Sequence, residues 1–413
     1  MQTLSKTKGI GGSIKTSAED FLVREITKDC TVLELGKRYE RIGEAGGKFS
    51  TIVLQKSNWS TQEAATAVAK RLGRGRKSVG YAGMKDRIAT TVQLISIYGV
   101  SPEAVKSVNV KDISINGAWS STAGIKIGDL VGNNFTIKVV GAKGIEEIEK
   151  TAAELNGIMP NYFDRQRFGT RMNNHIVGID ILKGDFEAAA MEILTATASE
   201  TSEAAIAARK RLREERDFGK ALEYFPKYLK HERAMLDYLH RYPGNFANAI
   251  RKIPRGIGLV FVHAVEDYIF NAALEKMVKD GITLESASGL RCGTNEYKFP
   301  DISSVGASGD FPVLNLIGYE SDDKHISDYE KEVMLGLGIA KEDFKIKGMP
   351  ELSMKGSYRP CFAPFKDFSF TANGTEANFS FSLPAGSYAT LLINEFTKAD
   401  DFKLEGIASE QIA

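Results

Sequence analysis

The sequence predicts an α+β protein in which strand-rich outer parts enclose a differently textured middle of roughly 200 residues, near the upper end of ordinary domain sizes. Three observations carry this reading. Residues 92–100 (VQLISIYGV) and 134–140 (NFTIKVV) are β-branched and aromatic runs of the kind that form buried strands. Towards the C-terminus, Phe379-Ser380-Phe381-Ser382-Leu383 alternates apolar and polar residues, the period of a half-buried strand. Between these, residues 188–220 are rich in Ala, Glu and Arg and read as long helices, and residues 259–279 repeat apolar side chains at helical spacing.

The elements follow in order. Residues 21–26 (FLVREI) form a short strand entered through Thr16-Ser17-Ala18-Glu19. Ser60-Thr61-Gln62-Glu63 is a capping box, because the serine hydroxyl can accept the Glu63 amide while the glutamate reaches back. Ala64, Ala65, Val68 and Leu72 continue that helix to Gly73, where a basic loop begins. A short apolar segment around Val79-Gly80-Tyr81 follows, and residues 82–91 make a loop leading into the strand at 92–100. Val131-Gly132-Asn133 reads as a turn before the next strand, and residues 146–155 as a helix stopped by Asn156-Gly157. The Ser, Gly and Asp rich residues 286–310 read as loops with short strands. Pro384 and Gly386 break the last strand, and residues 388–396 (YATLLINEF) resume as a helix.

At 413 residues the chain can hold two domains, or one domain with a large insertion. No run of about 18 apolar residues predicts a membrane span, and the first residues lack the apolar core of a secretory signal. Cys30, Cys292 and Cys361 are widely spaced and form no CxxC pair, which fits a reducing cytoplasm and neither a disulfide framework nor a cysteine-rich zinc site. Net charge is only +1, so the concentration of charge matters more than its sum. Lys70, Arg71, Arg74, Arg76, Lys77, Lys85 and Arg87 crowd one segment against Asp86 alone, and Arg165, Arg167 and Arg171 form a second cluster. A face of that kind grips a polyanion, although a solvated basic loop has the same composition.

The richest segment for chemistry is Tyr81-Ala82-Gly83-Met84-Lys85-Asp86-Arg87. A carboxylate between two cations is favoured in its charged form and can serve as nucleophile or general base; a turn aspartate in local ion pairs fits the same residues. Other motifs fail. Arg76 stands where a phosphate loop needs glycine before Lys77, no HExxH or GxSxG occurs, and the five histidines are scattered, so no metal site is expected. Asn161-Tyr162-Phe163 before Arg165-Gln166-Arg167-Phe168-Gly169 could stack bases and bind phosphate, or form a core-facing turn with arginines outside.

The run Gly83-Met84-Lys85-Asp86-Arg87-Ile88-Ala89-Thr90-Thr91-Val92-Gln93 resembles the signature of the TruD pseudouridine synthases. The resemblance continues in order through Lys15 to Phe21, Gly132 to Phe135, Pro160 to Gly169 and Leu383 to Thr390. It departs at Asp164, where the family often has glycine, and at Tyr388, where phenylalanine occurs. It implies a pseudouridine-synthase core, a mixed and largely antiparallel sheet with flanking helices, built from residues 1–160 and 366–413. An α/β TRUD domain at 161–365 is inserted. It further implies a cofactor-independent, metal-free isomerase that converts a uridine of tRNA, at position thirteen, to pseudouridine, with no obligatory protein partner. Asp86 would be its catalytic carboxylate and Lys15 the cation paired with it. Phe135 would lie against a flipped base, with Phe21, Asn133 and Tyr388 contacting the nucleotide. Arg74, Arg76 and Lys77, with Arg165 and Arg167, would hold the RNA backbone, and Lys85 and Arg87 would meet phosphates or stabilise the loop. A tRNA-binding module or chaperone without the chemistry is the alternative on the same fold; only the enzyme needs Asp86 beside a cation in a pocket.

Overall fold

The computed structural model describes residues 1–41, 46–281 and 312–399, so the loops expected at 286–310, and Cys292 within them, lie outside the described residues. The first part of the chain forms β1 (Phe21–Thr27), β2 (Phe49–Ser57), α1 (Thr61–Arg71), β3 (Val79–Tyr81), β4 (Thr90–Tyr98), α2 (Pro102–Lys106), β5 (Ile113–Ser121), β6 (Leu130–Val140), α3 (Glu147–Leu155) and β7 (Ile158–Pro160). The middle is helical: α4 (Asn174–Lys183), α5 (Phe186–Thr195), α6 (Glu203–Glu215), α7 (Phe218–Tyr224), α8 (Lys230–Arg241), α9 (Phe246–Ile250) and α10 (Arg255–Lys279), then β8 (Val313–Leu316), α11 (Asp328–Leu337) and β9 (Ser357–Pro360). The chain closes with β10 (Phe362–Pro364), β11 (Lys366–Asn373), β12 (Glu376–Pro384) and α12 (Ala389–Thr397).

One mixed sheet organises the outer parts, in the order β11-β12-β6-β1-β4-β2-β5, with β3 also on β4. Only β1 and β4 run parallel within it; the other pairs are antiparallel. Strands from opposite ends of the sequence meet here, since Phe381 of β12 and Val23 of β1 both pair with Phe135 of β6. This is the mixed sheet with helices that the sequence implies.

Several elements differ from expectation. The supposed turn at Val131-Gly132-Asn133 lies inside β6, where Gly132 pairs with both Ile26 and Pro384. Pairing on both sides overrides local turn propensity. The long helices expected over residues 188–220 are three shorter ones, because Ser202 and Asp217 cap new starts by accepting the amides of Ala205 and Lys220. Strands β2 and β5 were not legible in the sequence, yet β2 lies between β4 and β5. Elsewhere the reading holds: Ser60 and Glu63 form the expected capping box, and α12 starts directly after Tyr388.

The packing has two main centres. Phe21, Phe135, Phe379 and Phe381 of the sheet pack beneath α3 and α12, against Phe396 of α12 among others, whereas residues of α4 through α11 form a separate core. Helix α10 joins them: Phe261, Val262, Val265 and Ile269 enter the second core, and Phe270, Ala273, Leu274 and Met277 the first. That double burial explains its composition. Among the described residues α10 alone has the length and hydropathy to cross a bilayer, and those apolar side chains are spent on two cores.

Candidate active site

Strand pairing assigns side chains to faces of the sheet, because residues directly opposite each other point the same way and residues two apart share a face. Lys56 pairs with Thr91, Thr91 with Val23, and Glu25 with Asn133. Lys56, Thr91, Gln93, Glu25 and Asn133 therefore form a polar strip across β2, β4, β1 and β6, on one face of the sheet. Apolar clusters flank it on that face, one under α1 with Ile52, Leu54 and Ile95, the other with Phe21, Phe135 and Phe381. Four of the five are buried completely or nearly so, Lys56 at 1% exposure and Glu25, Thr91 and Gln93 at 0%. Burying polar groups costs free energy unless they are paired. Two atoms in the strip, Thr91 Oγ1 and Asn133 Oδ1, are buried without a hydrogen-bond partner, the kind of orphan that marks a functional position.

The loop at residues 82–89 is fastened over this strip. Lys85 Nζ donates to Glu25 Oε2 at 2.8 Å, and the pair is almost wholly buried, with side chains 3% and 0% exposed. The other Glu25 oxygen accepts the Leu94 amide at 3.0 Å, filling the ladder position where β1 has left β4 and β3 has not yet begun. Thr61, at the start of α1, accepts the Lys85 amide at 2.8 Å and donates to Gln93 at 2.7 Å, while Gln93 donates to Gly83 O at 3.0 Å. Gly80 of β3 lets Ile125 pack closely, since a Cβ there would stand 2.1 Å from Ile125 O. Lys85 is thus neither a phosphate ligand nor a partner of Asp86; its ammonium turns down into the sheet. Arg87, 68% exposed, lies 3.8 Å from Glu63.

Asp86 projects from this fastened loop, 28% exposed. Lys15 Nζ donates to its Oδ1 at 3.1 Å, and Gln166 Nε2 donates to the same oxygen at 3.0 Å. From beneath, Lys56 Nζ donates to the Asp86 backbone carbonyl at 2.7 Å. Burial depresses the Lys56 ammonium from its ordinary 10.5 to about 8, with Asp86 opposing and Lys85 reinforcing that shift. Lys15 is aimed by its backbone. The segment before it is bridged to β6 through Ser13 and Val140, Gly12 packs where a Cβ would lie 2.6 Å from Val139, and Lys15 adopts φ +59°. A left-handed conformation costs a non-glycine residue roughly 1–2 kcal/mol; the return is an ammonium over the Phe21 ring at 4.4 Å and beside Asp86.

The other sequence candidates divide. Phe21 is 1% exposed, its ring edge against Phe135 at 6.2 Å, so its visible work is to seat Lys15. Phe135 is 6% exposed and packs on Phe381 at 5.6 Å, two residues along the same strand face from Asn133. Tyr388 lies against Phe163 at 6.5 Å, and burial raises its phenol. Arg74, Arg76 and Lys77 are exposed next to α1, with Arg74 donating to Gly99 O and Arg76 in contact with Gln62. Arg165 is half-buried. Arg167 is engaged inside the protein, donating to buried Asp267 at 2.6 Å and lying over Phe163.

Three residues were missed: Glu25, Lys56 and Gln166. For the first two the signal was present. In FLVREIT and FSTIVLQKS the alternation that buries Phe21 and Val23, or Ile52 and Leu54, also buries Glu25 or Lys56, a charge in an inward register. Among the described residues no group of His, Cys, Asp and Glu is arranged to hold a metal ion, and Cys30 and Cys361 are free thiols.

The chain matches the family model for tRNA pseudouridine synthase D (TruD) over residues 2–396. It is 32% identical to the "Probable tRNA pseudouridine synthase D" of Methanococcoides burtonii, over 97% of this chain and 96% of that protein. Its similarity to the Thermococcus sibiricus protein of the same name is 34% identity, covering 96% and 97%. The fold resembles the crystal structure of a tRNA pseudouridine synthase D from Methanosarcina mazei, with TM-score 0.75, 30% identity, and 97% and 96% of the two chains covered.

Proposed function

The chain belongs to the TruD family of tRNA pseudouridine synthases, and we propose that Asp86 is the carboxylate with which it isomerises a uridine of tRNA, at position thirteen, in the cytoplasm. The observation that carries this is the immobilisation of Asp86. A carboxylate open to solvent is held at Oδ1 by Lys15 and through its backbone by buried Lys56, over a strip that ends in the orphaned Asn133 Oδ1.

The reaction breaks the N1–C1′ bond, turns the base, joins C5 to C1′, and moves the C5 proton away as N1 gains one. No electron enters or leaves, so the residues need only hold, orient and shuttle protons. Asp86 acts at the ribose, as nucleophile at C1′ or as base at C2′, and both routes use the same ionised oxygen. Lys15 holds the carboxylate through an ion pair at Oδ1. The target base leaves its stack, at a cost of a few kcal/mol that pocket contacts offset. Phe135 packs against it, Asn133 Oδ1 accepts a base N–H, and Tyr388 closes the side towards the insertion. Phe21 serves chiefly by holding Lys15. Arg74, Arg76, Lys77 and Arg165 meet the RNA backbone, while Arg167 ties the first turn of the insertion to helix α10 within it. The catalytic unit is residues 1–160 with 366–413, and 161–365 is the inserted domain that grips the tRNA.

Tritium release from tRNA labelled at uridine C5 tests the reading, because that hydrogen departs only when C5 bonds to C1′. Wild-type protein releases tritium, and Asp86→Asn releases none while binding tRNA within a few-fold of wild type. Release by Asp86→Asn at the wild-type rate removes Asp86 from the mechanism.

A further inference from the structure

We infer that Gln166, on the turn leading into the middle of the chain, is a positioning residue that locks the Asp86 carboxylate and leaves Oδ2 as the reacting oxygen. The inference rests on the reading of Asp86 above.

Both side-chain donors to Asp86, Lys15 Nζ at 3.1 Å and Gln166 Nε2 at 3.0 Å, go to Oδ1, and among the described residues nothing donates to Oδ2. One donor alone leaves a carboxylate free to rotate about χ2, a broad torsion for aspartate. A second donor, from a different segment of the chain, fixes its plane. A fixed plane gives Oδ2 one orientation, and a misplacement of about 1 Å at the reacting atom can cost a hundredfold in rate.

The bond has structural weight because Gln166 stands on an anchored turn, the four-residue 3₁₀ segment Arg165–Phe168. Asp164 caps it by accepting the Gln166 amide at 3.3 Å and is itself bonded by Thr390 of α12. Arg167 is clamped to Asp267 of α10 at 2.6 Å, and Asn174 of α4 donates to the Arg167 carbonyl at 3.1 Å. Just before the turn, Asn271 of α10 holds the Phe163 amide at 2.8 Å and its carbonyl at 2.9 Å. Phe168 is fully buried. Gln166 itself is exposed, so neither packing nor burial accounts for where its amide goes. The turn belongs to α4, α10 and α12 jointly, and its Gln166 side chain reaches across 80 positions of sequence to Asp86. A shift of α4 or α10 on tRNA binding would therefore be felt at the carboxylate. The charged neighbours of Asp86 are Lys15 at its oxygen and Lys56 at its carbonyl, with Lys85 turned to Glu25.

Single-turnover kinetics with saturating tRNA transcript test this in Gln166→Ala, Gln166→Glu and Asp86→Asn. Gln166→Ala lowers the rate constant roughly ten- to hundredfold, with tRNA Kd and melting temperature unchanged. Gln166→Glu replaces the donor by an acceptor of like charge, so it lowers the rate constant at least as far as Gln166→Ala, again with tRNA Kd unchanged. If Asp86→Asn is inactive while both Gln166 variants match the wild-type rate constant, the positioning role is overturned and the reading of Asp86 stands. A loss confined to tRNA affinity makes Gln166 an RNA contact and also overturns it. Turnover by Asp86→Asn overturns the reading beneath.

Discussion

Replacing Lys56 by methionine separates what the buried ammonium does for the site from what it costs the fold. Lys56 is 1% exposed and held to about 8 from an ordinary 10.5. Below about pH 8 the residue is charged in both folded and unfolded protein. Between about 8 and 10.5 the folded protein has lost a proton that the unfolded chain retains. The unfolded state then binds more protons, so the contribution of Lys56 to stability rises with pH through that window and is flat on either side. At about 1.36 kcal/mol per pH unit the full rise is about 3 kcal/mol. The assay is denaturant unfolding of wild type and Lys56→Met in parallel at several pH values, taking the difference so that other titrations cancel. Wild type gains on the variant by about 1 kcal/mol or more per unit above about pH 8. Turnover shows the opposite trend: wild-type single-turnover rates fall above about pH 8 as the grip on the Asp86 carbonyl weakens, and Lys56→Met is slow at every pH. A stability difference that stays flat from about pH 7 to 10 would overturn this, since it would mean that the folded protein keeps the Lys56 proton as tightly as the unfolded chain does.

Further expectations concern the RNA face and the insertion. Neutralising Arg74, Arg76 and Lys77 together weakens tRNA binding and flattens its salt dependence by roughly 0.7–0.9 log units per lost phosphate contact; an unchanged slope moves the RNA to another face. In the middle of the chain Arg209 is fully buried, bonded to Glu232 at 2.7 Å and to the Ile193 carbonyl at 2.8 Å. Arg209→Ala leaves that carboxylate without its close partner and destabilises the protein by about 3–5 kcal/mol, read as a lowered denaturant midpoint with Asp86 chemistry intact at low temperature. Protein dialysed against chelator retains full turnover; loss restored by added metal would contradict the metal-free reading.

How much was legible follows from which interactions are local. Ser60 caps a helix because its partner is Glu63, three residues on, and Asn156 ends one with its own left-handed backbone. Residue types in short windows carry such signals. Asp86 and Lys15 were named through the resemblance, and the structure supplies what the sequence could not, a contact 71 positions apart. Residues 131–133 read as a turn because glycine and asparagine favour turns, and only the strands on both sides of β6 make them extended. Glu25 and Lys56 hid inside apolar runs, where one charge looks like a surface residue until the register is counted. Gln166 lies in the block Pro160 to Gly169 that carries the resemblance, yet by itself it reads as a polar side chain between two arginines. Its meaning comes from α4, α10 and α12 converging on one turn.

The central claim is spatial, and a structure of Asp86→Asn bound to tRNA tests it directly. One uridine is then extruded from the RNA, its ribose C1′ or C2′ about 3–3.5 Å from residue 86, and its base N–H on Asn133 Oδ1. The RNA backbone would run past Arg74 and Arg76. A stacked uridine, or an extruded one seated elsewhere with Asn133 still unpartnered, would contradict it.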